Sequence, residues 1–263
     1  MIPIEKSQYQ DIIPLLHETP LTTPTNAWAI AEKYIQGEIF SNTRKDPKAI
    51  LFGTIDGTYF VCGEPDQAFI NDFTSFYKKK EEERFTIFSP TNKWDEVIED
   101  IITSNTKKMK RTILHINKDK YLNDVRYIHN SGSFDIHPIT HESIFRSNYF
   151  NKTYYQAFWG NVDQYVKYGI GFYATNHINE IVSECTSIFR SKNYANIDIH
   201  TTKKARGQGM AFHLSKAFID HCFQLGILPV WDCDCTNDAS LNLAKKLGFD
   251  QLSEYHLYYK TVI

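Results

Sequence analysis

Arg206-Gly207-Gln208-Gly209-Met210-Ala211 sets a cation and two glycines at the junction of two periodic segments. Ahead of it, ANIDIHT alternates as a strand does. Behind it, Phe212, Leu214, Ala217, Phe218 and Cys222 fall at helical spacing. Glycines let a backbone approach a ligand closely and turn its N–H groups outward. A helix start adds about half a positive charge, so the junction can hold a phosphate or pyrophosphate on main-chain donors, with Arg206 as a fixed charge. The dinucleotide fingerprint needs a third glycine and the triphosphate loop ends in Gly-Lys-Ser/Thr, and neither pattern is present. In the strand before the glycines, period-two alternation puts Ile197 and Ile199 on one face and Asn196, Asp198 and His200 on the other. Asp198 and His200 are candidate proton acceptors. Glu184, flanked by Ser183 and Cys185 in an otherwise apolar stretch, is a third. Each has a plainer role open to it: Asp198 pairing with a cation on the sheet face, His200 as a hydrogen-bonded strand residue, Glu184 exposed on an open face.

The form Arg-x-x-Gly-x-Ala, met by Arg206, Gly209 and Ala211, resembles the acetyl-CoA pyrophosphate loop of the GNAT N-acetyltransferase superfamily. LPVWDCDCTNDASLNLAKKLGF adds an apolar strand, a helix opened by Asn237 and Ser240, and a Leu247-Gly248-Phe249 ending, which is similar to the family's downstream order. GFYATNHINEIVSECTSIF, AFIDHCFQLG and Trp231-Asp232-Cys233 before Asn237 resemble, more narrowly, the zwittermicin A resistance group of bacterial GNAT proteins. The resemblance covers residues 130–263.

It implies an acetyl-CoA cosubstrate held by Ile199, Thr201, Arg206, Gly207, Gln208, Gly209, Met210, Ala211, Asn237 and Ser240. It implies no metal, a small-molecule amine as acceptor, and direct attack without a covalent enzyme intermediate. A bulge in the strand at 196–201 is expected to splay two strands and aim backbone N–H groups at the thioester. Asp198 stands where many members place an acid. The usual general-acid tyrosine falls at Ala244, a departure that leaves thiolate protonation to water, Ser240, Tyr255, Tyr258 or Tyr259. Asn237 suits a helix cap as well as a ligand contact. A non-catalytic acyl-CoA-binding sensor and a protein N-acetyltransferase are the rival readings, and the antibiotic or metabolite acceptor rests on the narrower resemblance alone.

These groups need elements to position them. The expected fold is α+β: a GNAT domain at 126–263 with a mostly antiparallel, splayed sheet and flanking helices, preceded by a smaller α/β domain at 1–125. In the first part a helix is expected at 26–37, capped by Asn26 and stopped by glycine. Strands follow on either side of Asp56-Gly57, the dipeptide of a tight hairpin. Then come a helix at 66–83 with Phe69, Phe73, Phe76 and Tyr77 on one side, a strand at FTIFS, a helix at 92–104 and a strand at RTILHI. The polar stretch 119–132 marks the boundary, with Arg126-Tyr127-Ile128 as a possible strand. The second part begins with a strand in SFDIHPIT and a helix within 153–168, then a hairpin turning at 176–179.

With 29 Lys+Arg against 31 Asp+Glu in 263 residues, the net charge of -2 gives no global pull on a nucleic acid, and the mixed run at 78–83 reads as a solvated helix face. No run approaches the ~18 apolar residues of a membrane span, and the start lacks a leader pattern, so a cytoplasmic protein is expected. Five scattered cysteines make a poor disulfide framework. Cys233 and Cys235 lack zinc spacing and read as structural thiols. The oligomeric state is left open.

Overall fold

Asp56-Gly57 makes the tight turn that its dipeptide suits, with Gly57 at φ 82°. It joins two antiparallel strands whose residues are almost all buried. The structure, a computed structural model, describes residues 1–18, 23–80, 82–89, 91–102, 105–125 and 134–260. The chain divides into two compact units, Met1–Thr112 with Ser253–Ile263, and Ile113–Leu252. The possible strand at 126–128, and positions 81, 103 and 104 of the expected helices, lie outside the described residues.

The first unit opens with β1 (Ile2–Pro3), a 3-10 segment, α1 (Ile13–Glu18) and α2 (Thr25–Ala31). There follow β2 (Gly37–Ser41), β3 (Ala49–Thr54), β4 (Thr58–Gly63), α3 (Gln67–Lys79), β5 (Phe85–Ser89), α4 (Asn92–Ile101) and β6 (Lys107–Ile116). β1 to β4 pair antiparallel in succession, and β5 joins β4 in parallel. The strand on the other side of β5 is β12 (Phe249–Lys260), whose His256 to Lys260 pair antiparallel with it. Phe69, Phe73 and Tyr77 recur every four residues on α3 and are buried, in one core with Leu51, Val61, Phe85, Ile87, Trp94 and Tyr258. The helix expected at 26–37 is shorter. It ends at Ala31, and Lys33 takes a left-handed turn at φ 65° before Gly37 opens β2. Asn26 caps nothing: it lies one residue inside α2 and is buried, Pro24 standing at the N-cap.

The second unit begins with α5 (Lys118–Lys120) and a π turn at Tyr121–Val125, followed by β7 (Ile136–Pro138), α6 (His141–Arg146), α7 (Lys152–Trp159) and α8 (Val162–Tyr168). The single helix expected within 153–168 is thus two, because Gly160 at φ 83° closes α7 and Asn161 caps α8. β8 (Gly171–Thr175), β9 (Ile181–Arg190), β10 (Tyr194–Thr201), α9 (Met210–Gln224), β11 (Leu228–Asp234), α10 (Asp238–Lys246) and the start of β12 complete it. β7 to β10 pair antiparallel in succession and β11 joins β10 in parallel, so the sheet is mixed. Leu214, Phe218 and Cys222 of α9 are wholly buried in one core with Ala195, Ile197, Cys185 and Phe249.

Candidate active site

The alternation of β10 is realised in space. Ala195 and Ile197 lie in the core shared with α9, and Ile199 packs against it. Asn196, Asp198 and His200 therefore face the other side. Parallel pairing with β11 covers only Tyr194, Ala195 and Asn196, opposite Leu228, Pro229 and Val230. From Ile197 to Thr201, β10 keeps its antiparallel partner β9, and its β11 side pairs with no strand among the described residues. The alternate residues that do not bond β9 turn their N–H and C=O groups into that gap. The expected irregularity is present between Asn196 and Ile197, but its extra residue is on β9: Asn196 stands opposite Phe189 and Ile197 opposite Ser187, so Ile188 is passed over.

The glycine turn follows the strand directly. Thr202 leads through a 3-10 turn at Lys203–Ala205 to Gly207 at φ 79° and Gly209 at φ 78°. These left-handed conformations suit glycine. Gly209 is the N-cap of α9 and has no side chain to offer, whereas Asp66, Thr91, Thr140, Asn151, Asn161 and Asn237 each cap their own helix with a side-chain oxygen. The first N–H groups of α9 have no intrahelical partner. A Cβ on Gly207 would meet nothing within 4 Å, and one on Gly209 nothing nearer than the His213 ring at 3.7 Å. The turn is thus open outward. Arg206 folds back on the strand, its Nε donating to Thr201 O at 3.2 Å. Met210 is buried and Ile199 packs against the core, so of these two only backbone can face a ligand. Thr201 Oγ1 lies 2.7 Å from Ser183 Oγ.

The other face of β9 and β10 is polar and meets residues 147–155. Glu184, 5% exposed, accepts from Ser147 Oγ at 2.8 Å and from the Phe150 backbone, and burial pushes its carboxyl pKa up. It is not on an open face. His200 stands directly opposite Glu184 across the strand pair and stacks on Tyr149, ring centroids 3.7 Å apart. Burial, and then the charge of Arg206, lower the His200 pKa, which keeps its ring neutral at pH 7. Asp198 accepts from Tyr154 Oη at 2.8 Å. Burial first, and then the Asp198 charge, hold the Tyr154 phenol pKa well above its usual range. The three candidate proton acceptors therefore share one face, each with a contact from the α6–α7 segment.

Sequence reasoning missed Ser147, Tyr149 and Tyr154. Their one local signal is Asn151, whose side chain caps α7 and sets Tyr154 three residues into the helix. Asn237 is a cap: its side chain accepts from Ser240 N at 3.1 Å. Ser240 Oγ accepts from Trp231 Nε1 at 2.9 Å and retains a proton of its own. Ala244 is wholly buried in the core. Tyr258 belongs to the first unit, where its hydroxyl lies 2.8 Å from an Asp95 carboxylate oxygen and 2.7 Å from one of Glu99, with one proton to share between them. Tyr255, also in the first unit, stacks on Phe88. Four cysteines are buried, Cys235 is half-buried, and all five are free thiols.

Beside the glycine turn a cleft of about 800 Å³ is lined by Arg146, His177, Lys203, Lys204 and Gln208, among others. Glu180 is its single acid, and Asn176 Nδ2 donates to that carboxylate. Arg146, Lys203 and Lys204 form no ion pair among the described residues.

A helix start without a side-chain cap thus follows directly on a strand whose parallel pairing with β11 ends at Asn196. The family model for GNAT acetyltransferase matches residues 15–258. The chain belongs to the GNAT acetyltransferase family. This GNAT protein is 35% identical over 239 residues, 90% of either chain, to the uncharacterised N-acetyltransferase YdfB of Bacillus subtilis (strain 168). Its fold is similar to that of a GCN5-related N-acetyltransferase-like protein from Streptococcus suis 89/1591, with a TM-score of 0.72, 19% identity and coverage of 97% of this chain and 99% of that one. A tandem GNAT protein from the clavulanic acid biosynthesis pathway superposes with a TM-score of 0.69 at 10% identity, over 100% of this chain and 98% of that one. The GNAT fold, a mixed sheet with flanking helices, and an acyltransferase activity follow. No described helix is long and apolar enough to cross a membrane.

Proposed function

We propose that this acyltransferase moves the acetyl group of acetyl-CoA to a primary amine of a small molecule by direct attack. The observation that carries the reading is the start of α9, without a side-chain cap, behind the parting of β10 and β11. Backbone N–H groups around Gly207 to Ala211, with Arg206, hold the cosubstrate's phosphates. The free edge of β10 from Ile197 to Thr201 lies against its arm and supplies N–H donors to the carbonyl oxygen as negative charge develops there. Asn237 caps α10 at the far side of the gap, so its part is to fix that helix.

On the opposite face the neutral imidazole of His200 takes the proton that the attacking amine loses, and Tyr149 fixes the plane of that ring. Glu184 stands across the strand pair from the imidazolium that forms. Asp198, fixed by Tyr154, holds and orients the incoming amine. As the new N–C bond forms and the C–S bond breaks, the thiolate takes a proton from water, and the imidazolium of His200 returns its proton to the hydroxide left behind. The cleft with Arg146, Lys203 and Lys204 is also lined by Gln208 and Met210 of the glycine turn and by none of Asp198, His200 and Glu184, so its cations serve the cosubstrate's phosphates. An aminated antibiotic or metabolite is the acceptor class we assign, in a cytoplasmic setting.

Thermal stabilisation by acetyl-CoA, with thiol release measured on the same samples against a panel of amines, tests the reading. Stabilisation with release on small primary amines is expected, and His200→Ala should lower turnover most at neutral pH. Absence of stabilisation by acetyl-CoA would defeat the cosubstrate assignment. Release only with peptides would replace the small-molecule acceptor by a protein.

A further inference from the structure

The two units run through the same elements in the same order. Each has a short strand, helical segments, three strands antiparallel to one another, a helix, a strand parallel to the last of the three, and another helix. β4, α3, β5 and α4 of the first thereby correspond to β10, α9, β11 and α10 of the second. The correspondence allows the two helix starts to be compared position by position.

In the second unit residues 202–209 lead into α9, and Gly209 leaves its first N–H groups open. In the first, only residues 64–66 lead into α3, and they end in Asp66. Its carboxylate accepts from Phe69 N at 2.8 Å and from Asn42 Nδ2 at 2.6 Å. Those hydrogen bonds, that from Asn42 foremost, hold its pKa below the usual carboxylate range. The first N–H groups of α3 thus already meet a carboxylate of the chain's own.

The strand gap differs in the same sense. β4 pairs with β5 from Thr58 to Phe60 and runs on to Gly63, as β10 runs on beyond Asn196. The residue three places into α10 is Ser240, which receives the cap from Asn237; the residue three places into α4 is Trp94, capped in the same way by Thr91. Trp94 is 1% exposed, its Nε1 donates to Gly63 O at 2.8 Å, and its ring packs on Phe69. The indole thus ties α4 to the last residue of β4, where the second unit has a small hydroxyl.

We propose that the first unit is a duplicate of the second's architecture whose cosubstrate seat is closed by its own side chains, Asp66 in place of a phosphate and Trp94 across the strand gap. Each chain then binds one acyl-CoA, in the second unit. The inference rests on the cosubstrate reading given above for α9. Calorimetric titration of the full chain with acetyl-CoA, joined to peptide-level hydrogen exchange with and without it, separates the two. One site per chain is expected, with protection in peptides spanning residues 203–212 and none in those spanning 63–70. Two sites per chain, with protection at both 203–212 and 63–70, would overturn the closed seat and leave the role of α9 standing, whereas one site protecting 63–70 alone would overturn both. Binding nowhere in the wild type would overturn the cosubstrate reading, and with it the assignment of a single seat per chain. Gly209→Glu should abolish the site, and a site surviving in it with protection at 63–70 would reverse the assignment of the two units. The exchange pattern of the wild type decides the matter even if that variant folds poorly.

Discussion

Gly209 and Gly63 make a matched pair of perturbations. Both lie in the left-handed region, at φ 78° and 81°. An alanine at either carries the same backbone strain, about 1–2 kcal/mol. Their surroundings differ. A Cβ on Gly63 would lie 1.9 Å from Lys48 O, a backbone atom that cannot turn aside, whereas a Cβ on Gly209 meets only the His213 ring at 3.7 Å. Gly209→Ala should therefore cost about 1–2 kcal/mol of stability, and Gly63→Ala more, by the additional backbone displacement. Affinity should follow the opposite order. Gly209→Glu adds to the same strain a carboxylate at the helix start. It cancels about 1 kcal/mol of helix-start attraction for an anion and sets a like charge near the phosphates, worth about 4 kcal/mol at 4 Å with an effective dielectric of about 20. The sum, about 5 kcal/mol, corresponds to a loss of more than about 1000-fold in Kd. Calorimetry with acetyl-CoA on Gly209→Glu, Gly209→Ala and Gly63→Ala, each first checked by circular dichroism, measures this. Equal Kd for the Glu and Ala variants at position 209 would refute the reasoning, since the charge would then meet nothing.

Other perturbations address the polar face and the core. Arg206→Gln removes a charge that depresses the His200 pKa, so the NMR titration midpoint of that imidazole should rise; an unmoved midpoint would detach Arg206 from the proton acceptor. Burial raises the folded-state pKa of Glu184 above its unfolded value, so the wild type loses stability as pH climbs through about 4.3 towards the folded value, and Glu184→Gln does not. Urea titrations from pH 3.5 to 8 should show the variant gaining on the wild type as pH rises, and a constant difference would contradict it. Ala244→Tyr, which would restore the aromatic found in many GNAT enzymes, should destabilise by at least about 1–3 kcal/mol because the site is fully enclosed. Unchanged urea midpoints would show that the core has room there.

What could be read from sequence was what local chemistry specifies. The turn at Asp56-Gly57, the four-residue recurrence of Phe69, Phe73 and Tyr77, the alternation of β10 and the glycines before α9 each depend on residues close along the chain, and each formed as expected. Tyr149 and Tyr154 escaped because nothing in their own neighbourhood says which strand they will meet; the contacts with His200 and Asp198 are made by folding α6 and α7 across β9 and β10. Asn26 failed as a cap for a related reason. Asparagine before an apolar run is a cap by type, but tertiary burial placed it inside α2 with Pro24 ahead of it.

The likeness of the two units lay beyond pattern reading for a sharper physical reason. Where the second unit has Arg206-Gly207-Gln208-Gly209, the first has Gly63-Glu64-Pro65-Asp66, and where one helix carries Ser240 the other carries Trp94. A parallel strand pair that parts at the mouth of a helix leaves backbone N–H groups that something must satisfy. A ligand can do so from outside, and the chain can do so with its own carboxylate and indole. The second solution needs different residues at the very positions that define the motif, so the constraint shared by the units is the backbone path, and the residues on it differ where the seat is open in one and filled in the other.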